Sequence, residues 1–283
     1  MAIRKPVNEF RLRRPQAPLG GYQRVGNGSR EDFSTLPSLD SVNPRIREAY
    51  NRLRAQYQCF RRAQEGADSF YRSFGVALLE HYCRKTTPLI ELENLRKWAK
   101  SQEGVTRVRV DAQEEFKTMQ TVLERLSEDK RTNPGLTLYQ LQNLLLLDDF
   151  DTVLVKYVRM VVINTIEASA QSLGLAGDQL QSYQTDWSSA MAADDVVMQA
   201  AAWGFGVNLR VEDCVREHAT RQFSSGAQEQ RAVLSLLRFR RGFVVLYQQK
   251  AGLIDGYNGG EFDTDPATQV QATYAGESYV IFS

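Results

Sequence analysis

The stretch EGADSFYRSFGVALLEHY, residues 65–82, decides how the rest of the chain is read. It opens on a tight turn of small residues, Gly66 and Ala67, with Asp68 where a helix N-cap belongs. From Ser69 the pattern changes. Tyr71, Phe74, Leu78 and Tyr82 recur at three- and four-residue intervals, which predicts a helix from about Ser69 to Cys83 with one buried stripe. Ser69 therefore stands at the junction of turn and helix, where a side chain is either a cap, a packing residue or a chemical group aided by the helix N-terminus.

Working outward, SVNPRIREAYNRLRAQYQCFRR (41–62) predicts a preceding helix, with Asn43 as N-cap and Pro44 at its first position. Ile46, Tyr50, Leu53 and Tyr57 give that helix its apolar stripe. Further helices are predicted at about 88–101, 109–129, 136–146 and 149–171. A small-residue helix from about 194 is followed by a Gly-rich turn and a strand over 207–211. VLSLLRF (233–239), GFVVLYQQ (242–249), QVQATY (269–274) and SYVIFS (278–283) are short β-branched and aromatic runs between turn signals, hence strands. The expected fold class is α+β: a helical N-terminal part with a mostly antiparallel sheet from the C-terminal third. Residues 1–40, rich in Pro, Gly, Ser and Arg and without periodicity, form an extended arm, and 41–283 form the domain.

The 283-residue chain is 42% hydrophobic and 24% charged, the balance of a folded soluble domain with a sizeable core. Its formal net charge of +1 makes no electrostatic case for nucleic acid or a membrane surface. Cys59, Cys83 and Cys214 are scattered and form no disulfide framework, which fits a reducing compartment. With only His81 and His218 besides, no metal and no cofactor is expected. The longest apolar runs, such as VLVKYVRMVVI (153–163), are too short and interrupted to cross a bilayer, and the N-terminus has no secretory h-region. An intracellular location follows. Charge is uneven, however: Arg4, Lys5, Arg11, Arg13, Arg14 and Arg24 crowd the arm against the single acid Glu9. Such an arm suits an acidic partner surface, for instance a cytoskeletal or ciliary assembly.

The order of these pieces resembles the otubain family, papain-like ubiquitin thioesterases. GADSFYR (66–72) stands where the family carries Asp-Gly-Asn-Cys-Phe-Tyr-Arg, and Phe70, Tyr71 and Arg72 match outright. VLVKYVRMVV (153–162) is similar to the family's core helix, and DDVVMQAAAWGFGVNLRV (194–211) to its helix and strand. VQATYAGESYVIFS (270–283) parallels the closing hairpin, which ends Gly-His-Tyr-Asp-Ile-Leu-Tyr. The resemblance covers about 42–212 and 270–283, leaving 213–269 as an expansion. It implies an otubain-like fold and ubiquitin or other proteins as partners. It also places the family's nucleophilic cysteine on Ser69, its histidine on Ser278, the orienting acid on Val280 and the motif's aspartate on Gly66.

Four vacated positions imply a pseudoenzyme. A serine hydroxyl is harder to deprotonate than a thiol and needs a general base within hydrogen-bond reach. His81, twelve residues along the same helix, is roughly 18 Å away. Other polar groups have plainer readings: Arg72 as a structural partner of a carboxylate, Asp194 and Asp195 as partners of a helix dipole, and LLLLDDFD (144–151) as a helix junction. DGYNGGEFDTD (255–265) lacks the spacing of a calcium loop and is expected as a turn. The expected function is an interaction subunit of a larger assembly, the alternative a ubiquitin-binding module that does not cleave, and the third an active hydrolase using Ser69.

Overall fold

The computed structural model describes residues 30–32, 44–105, 113–186, 193–213, 219–224, 232–239 and 242–248. A three-residue strand β1 (Arg30–Asp32) precedes helix α1 (Pro44–Gln56), strand β2 (Tyr57–Arg62) and helix α2 (Ser69–Cys83). Helices α3 (Leu89–Val105), α4 (Gln113–Thr132), α5 (Thr137–Leu145), α6 (Asp148–Ala168), α7 (Gly177–Asp186) and α8 (Asp195–Phe205) follow. Strands β3 (Asn208–Asp213), β4 (Ala219–Phe223), β5 (Val233–Phe239) and β6 (Gly242–Gln248) complete the order.

The strands form one sheet in the order β1-β2-β6-β5-β3-β4. All neighbours are antiparallel except β3 and β5, which run parallel, so the sheet is mostly antiparallel as expected, with one parallel pair. The 213–269 segment, expected as an expansion, supplies β4, β5 and β6 and hence the sheet's centre. The strand expectations at 269–274 and 278–283 and the 255–265 turn lie outside the described residues.

Alternation along the central strands sorts side chains to two faces. Phe243, Val245 and Tyr247 of β6, with Leu234 and Leu236 of β5, join the main core under α2, α6 and α8. Val244, Leu246 and Leu237 point the other way, onto Ala49, Tyr50 and Leu53 of α1. Helices on both faces leave β5 and β6 little solvent, which is why they read as near-continuous apolar runs.

Helix α2 runs through the middle of the molecule and is buried from Ser69 to Glu80. It meets α6 so closely that a Cβ on Gly75 would lie 2.9 Å from Leu154 Cγ and Cδ1. Helix α8 ends at Gly206, whose φ of 64° is left-handed and lets Val207 N–H reach back to Ala202 O at 3.0 Å before β3 begins.

Three expectations are corrected. The first helix stops at Gln56, and Tyr57–Arg62 turns into strand, pairing with both β1 and β6. Tyr57 keeps its place in the α1 apolar cluster, so the burial was right and the backbone was not. The arm is not extended coil throughout, because Arg30–Asp32 is an edge strand. The polar stretch after β3 holds β4, which covers β3 from Leu209 to Asp213.

Candidate functional site: the Ser69 corner

Strand β2 delivers the chain to the turn before α2, where Gly66 takes φ 127°. That is glycine territory: a Cβ there would meet nothing within 4 Å, so the restriction is backbone strain and not space. Any L side chain at Gly66 would be strained in this conformation. Ser69 N–H donates to Gly66 O at 3.1 Å and closes the turn. Asp68 occupies the N-cap position, but its side chain makes no cap hydrogen bond and instead pairs with Arg159, whose guanidinium lies 5.0 Å from the Tyr71 ring centroid. Burial lowers the pKa of Arg159.

Arg72, one turn into α2, holds the corner together. Its Nε and Nη2 donate to the two Asp151 oxygens at 2.6 and 2.7 Å, and its Nη1 to Gln64 O at 3.4 Å. This bidentate clamp fixes turn, helix and the start of α6 in one geometry. The structural reading of Arg72 holds, as does the helix-junction reading of 144–151.

Strand β6 closes the corner from the sheet side. A Cβ on Gly242 would come 3.4 Å from both Cβ and Oγ of Ser69, and Ser73 Oγ donates to Phe243 O at 2.9 Å. The Phe243 ring packs edge-on to Phe70, centroids 5.3 Å apart. So the strand that approaches Ser69 begins Gly242-Phe243-Val244-Val245, with no titratable side chain among those four. Sequence reasoning missed this strand as part of the site. The usable signal was a Gly followed by an alternating apolar run ending Leu246-Tyr247, the shape of the family's own ending.

Ser69 is 2% exposed. His81 lies near the far end of α2, its Nε2 3.7 Å from Glu91. His218, Ser278, Val280, and the arm's Arg4, Lys5, Arg11, Arg13, Arg14 and Arg24 lie outside the described residues. Among the described residues no group of three or more His, Cys, Asp or Glu is placed to hold a metal ion, and no helix is long and apolar enough to cross a membrane.

A second buried network braces α2 against the sheet. Glu80 is wholly buried and accepts from Tyr247 Oη at 2.5 Å, Gln142 Nε2 at 2.8 Å and Arg30 Nη2 at 3.4 Å, with Arg61 Nη2 at 3.0 Å. Burial raises the Glu80 pKa, but Arg61, Arg30 and the Tyr247 and Gln142 hydrogen bonds outweigh it and hold the carboxyl below its ordinary value. Burial and the Glu80 charge push the Tyr247 phenol up. Arg30 also lies 4.2 Å from the Tyr247 ring centroid, so β1 is pinned by one arginine to both α2 and β6.

The acids Asp194 and Asp195 behave as helix-terminus groups. Asp194 accepts from Val197 N–H at 2.9 Å and from Tyr183 Oη at 2.5 Å, and Asp195 pairs with Arg221. An open cleft of about 450 Å³ lies here, lined by Ala193 to Val196, Arg221 and Arg238, on residues unconnected with Ser69.

The Ser69 corner is thus a buried helix headed by a small-residue turn, its first residue facing the leading end of a central strand. The chain belongs to the peptidase C65 otubain family, whose family model matches residues 22–242. In fold it is similar to h/ceOTUB1 in a complex with ubiquitin aldehyde and UBCH5B~Ub (TM-score 0.65, 14% identity, 80% of this chain and 91% of that one). The same protein with ubiquitin aldehyde and UBC13~Ub gives a TM-score of 0.65 at 15% identity, covering 80% of this chain and 91% of that one. A ceOTUB1 complex with ubiquitin aldehyde and UBC13~Ub gives 0.59 at 17% identity, covering 80% and 94%. No curated protein matches the chain.

Proposed function

We propose that this otubain-family chain works by binding proteins and does not cleave ubiquitin, serving as an interaction subunit of a larger assembly. The observation that carries this reading is the apolar strand at Ser69. With the family ending Gly-His-Tyr-Asp laid on Gly242, the histidine falls on Phe243 and the acid on Val245. We prefer this assignment to Ser278 and Val280, because β6 is the strand in contact with Ser69. Under either assignment the base is missing, and loss of a positioned base removes about 10²- to 10⁴-fold in rate. A lone hydroxyl at a helix N-terminus does not replace it.

A ubiquitin-binding role is the second reading, favoured by family membership and by fold neighbours that are ubiquitin complexes. The cytoskeletal or ciliary partner expected from the arginine arm rests on residues outside the described ones. A fluorogenic ubiquitin C-terminal substrate tests the absence of cleavage. Wild type, Ser69→Ala and Ser69→Cys are all expected at the buffer rate, and turnover by wild type that Ser69→Ala abolishes overturns the reading. Titration of labelled mono- and diubiquitin decides the second: no binding at high micromolar concentration removes it and leaves the interaction subunit.

A further inference from the structure

We propose that the outer face of α5 is a docking surface for a second copy of this chain, the two α5 helices lying antiparallel about a twofold axis. This goes beyond the interaction-subunit reading and holds whether or not Ser69 is inactive.

Helix α5 is unusual in composition. From Thr132 to Leu147 no residue is charged, in a chain where 24% of residues are. Its inner side is spent within the domain: Leu141 and Leu145 are buried in the main core, and Gln142 donates to Glu80. Its outer side is apolar. Leu136, Tyr139 and Leu146 are 45%, 45% and 60% exposed, so three of the five exposed large hydrophobic residues among the described ones lie on this one element. Apolar side chains scattered singly over a surface are ordinary, whereas several on one face mark a contact surface.

The spacing points to the occupant. Leu136 and Leu146 keep right-handed helical backbone at the two ends of α5, so the helical period runs through both. At 3.6 residues per turn, Leu136, Tyr139, Asn143 and Leu146 fall within an arc of about 80°. Their spacings of three, four and three residues read the same from either end. An antiparallel copy therefore sets Leu136 against Leu146 at both ends and Tyr139 against Asn143 twice in the middle. That is the self-complementary match a twofold interface requires.

Charge favours the same pairing. Leu136 stands at the N-cap of α5 and supplies no side-chain cap bond to the positive end of the helix. Asp149 is exposed just beyond the Leu146 end. Antiparallel packing brings this carboxylate to the N-terminal turn of the other copy's α5, once on each side of the axis. An apolar partner with no acid there would match the leucines alone. Area sets the strength: the stripe is roughly 15 Å long, a fraction of the roughly 800 Å² per partner of a stable interface. The dimer is therefore weak and concentration-dependent.

The test is sedimentation of the full chain up to about 1 mM, with a second sample carrying a benzophenone amino acid in place of Tyr139. A reversible dimer is expected, and irradiation should trap a dimer band whose crosslinks map to 136–146 of the other copy. Leu146→Glu should weaken association about tenfold, since it sets two carboxylates into the apolar contact. Asp149→Lys should weaken it about threefold. Ile90→Glu, at a similarly exposed apolar residue on α3, should leave it unchanged. A chain that stays monomeric, a dimer indifferent to Leu146→Glu, or crosslinks that map only outside α5 overturns the proposal. The crosslink map needs no charge substitution, so misfolding of Leu146→Glu does not decide the outcome. No step reads cleavage or ubiquitin binding, so failure here is told apart from failure of the proposed function.

Discussion

Glu80→Ala leaves Arg61 as a cation without its carboxylate in a place water does not reach. The Arg61 side chain is 4% exposed and that of Arg30 is 18% exposed, so Arg30 can turn to solvent and Arg61 cannot. Removing one partner of a buried pair costs about 3–5 kcal/mol, mostly as the penalty of the stranded charge. The hydrogen bonds from Tyr247 and Gln142 go with it, at about 1 kcal/mol each if counted separately, though they share the network and do not simply add. An overall loss of about 4 kcal/mol is expected. At 2–4 °C per kcal/mol for a domain of this size, the melting temperature falls by about 8–16 °C.

The assay is urea and thermal unfolding of wild type, Glu80→Ala, and the apolar pair Glu80→Leu with Arg61→Leu. The pair should cost less than Glu80→Ala alone, because no charge is left buried. The pH dependence has a definite sign. The folded carboxyl titrates below its unfolded value of about 4.3, so its contribution is complete above that pH and is lost as pH falls through the folded value. The gap between wild type and Glu80→Ala must therefore narrow below about pH 4. A cost under about 1 kcal/mol at pH 7, or a gap that stays constant down to pH 3, would refute the reasoning.

Arg72→Ala and Asp151→Ala should each cost about 2–4 kcal/mol and couple strongly in a double-mutant cycle, and both should speed proteolytic nicking at 64–68, where the Arg72 contact to Gln64 O is lost. Gly75→Ala should destabilise by about 1–2 kcal/mol despite better helix propensity, since its Cβ meets Leu154 at 2.9 Å; Leu154→Ala in the same chain should recover part of that loss in a urea melt. The Cys83 thiol, with its pKa pushed up to about 12 chiefly by burial, should stay inert to Ellman's reagent at pH 8 until urea unfolds the domain.

What was legible in the sequence was what is decided locally. The apolar spacing from Ser69 to Cys83 located α2 to the residue, and the runs at 233–239 and 242–249 gave β5 and β6. Tyr57 shows where locality stops. It sits three and four residues along the same stripe as Tyr50 and Leu53 and is buried with them, yet its backbone belongs to β2. Only pairing with β6, Phe60 opposite Leu246, makes strand the better state there, and that partner lies far along the chain. The polar tripeptide Arg-Glu-Asp of β1 has no strand signature at all and is kept by Arg30 on Glu80, again a distant contact.

The same division governs the candidate site. Ser69 could be found because the turn and helix that present it are contiguous in sequence. The group facing it could not, because which strand abuts the helix N-terminus is settled by sheet order. Two apolar runs, GFVVLY and SYVIFS, are strand candidates in the sequence, and the otubain resemblance places the family's closing pattern on the second. Contact with Ser69 and the Ser73 bond to Phe243 O favour the first. The choice matters chemically: if β6 is the counterpart strand, restoring a base means Phe243→His, where the ring now fills core beside Phe70, so chemistry and packing compete for one position. On the proposed assignment a core aromatic occupies the base position, and Phe243→His would cost about 1–3 kcal/mol, as a polar ring replaces apolar packing, before any gain in rate.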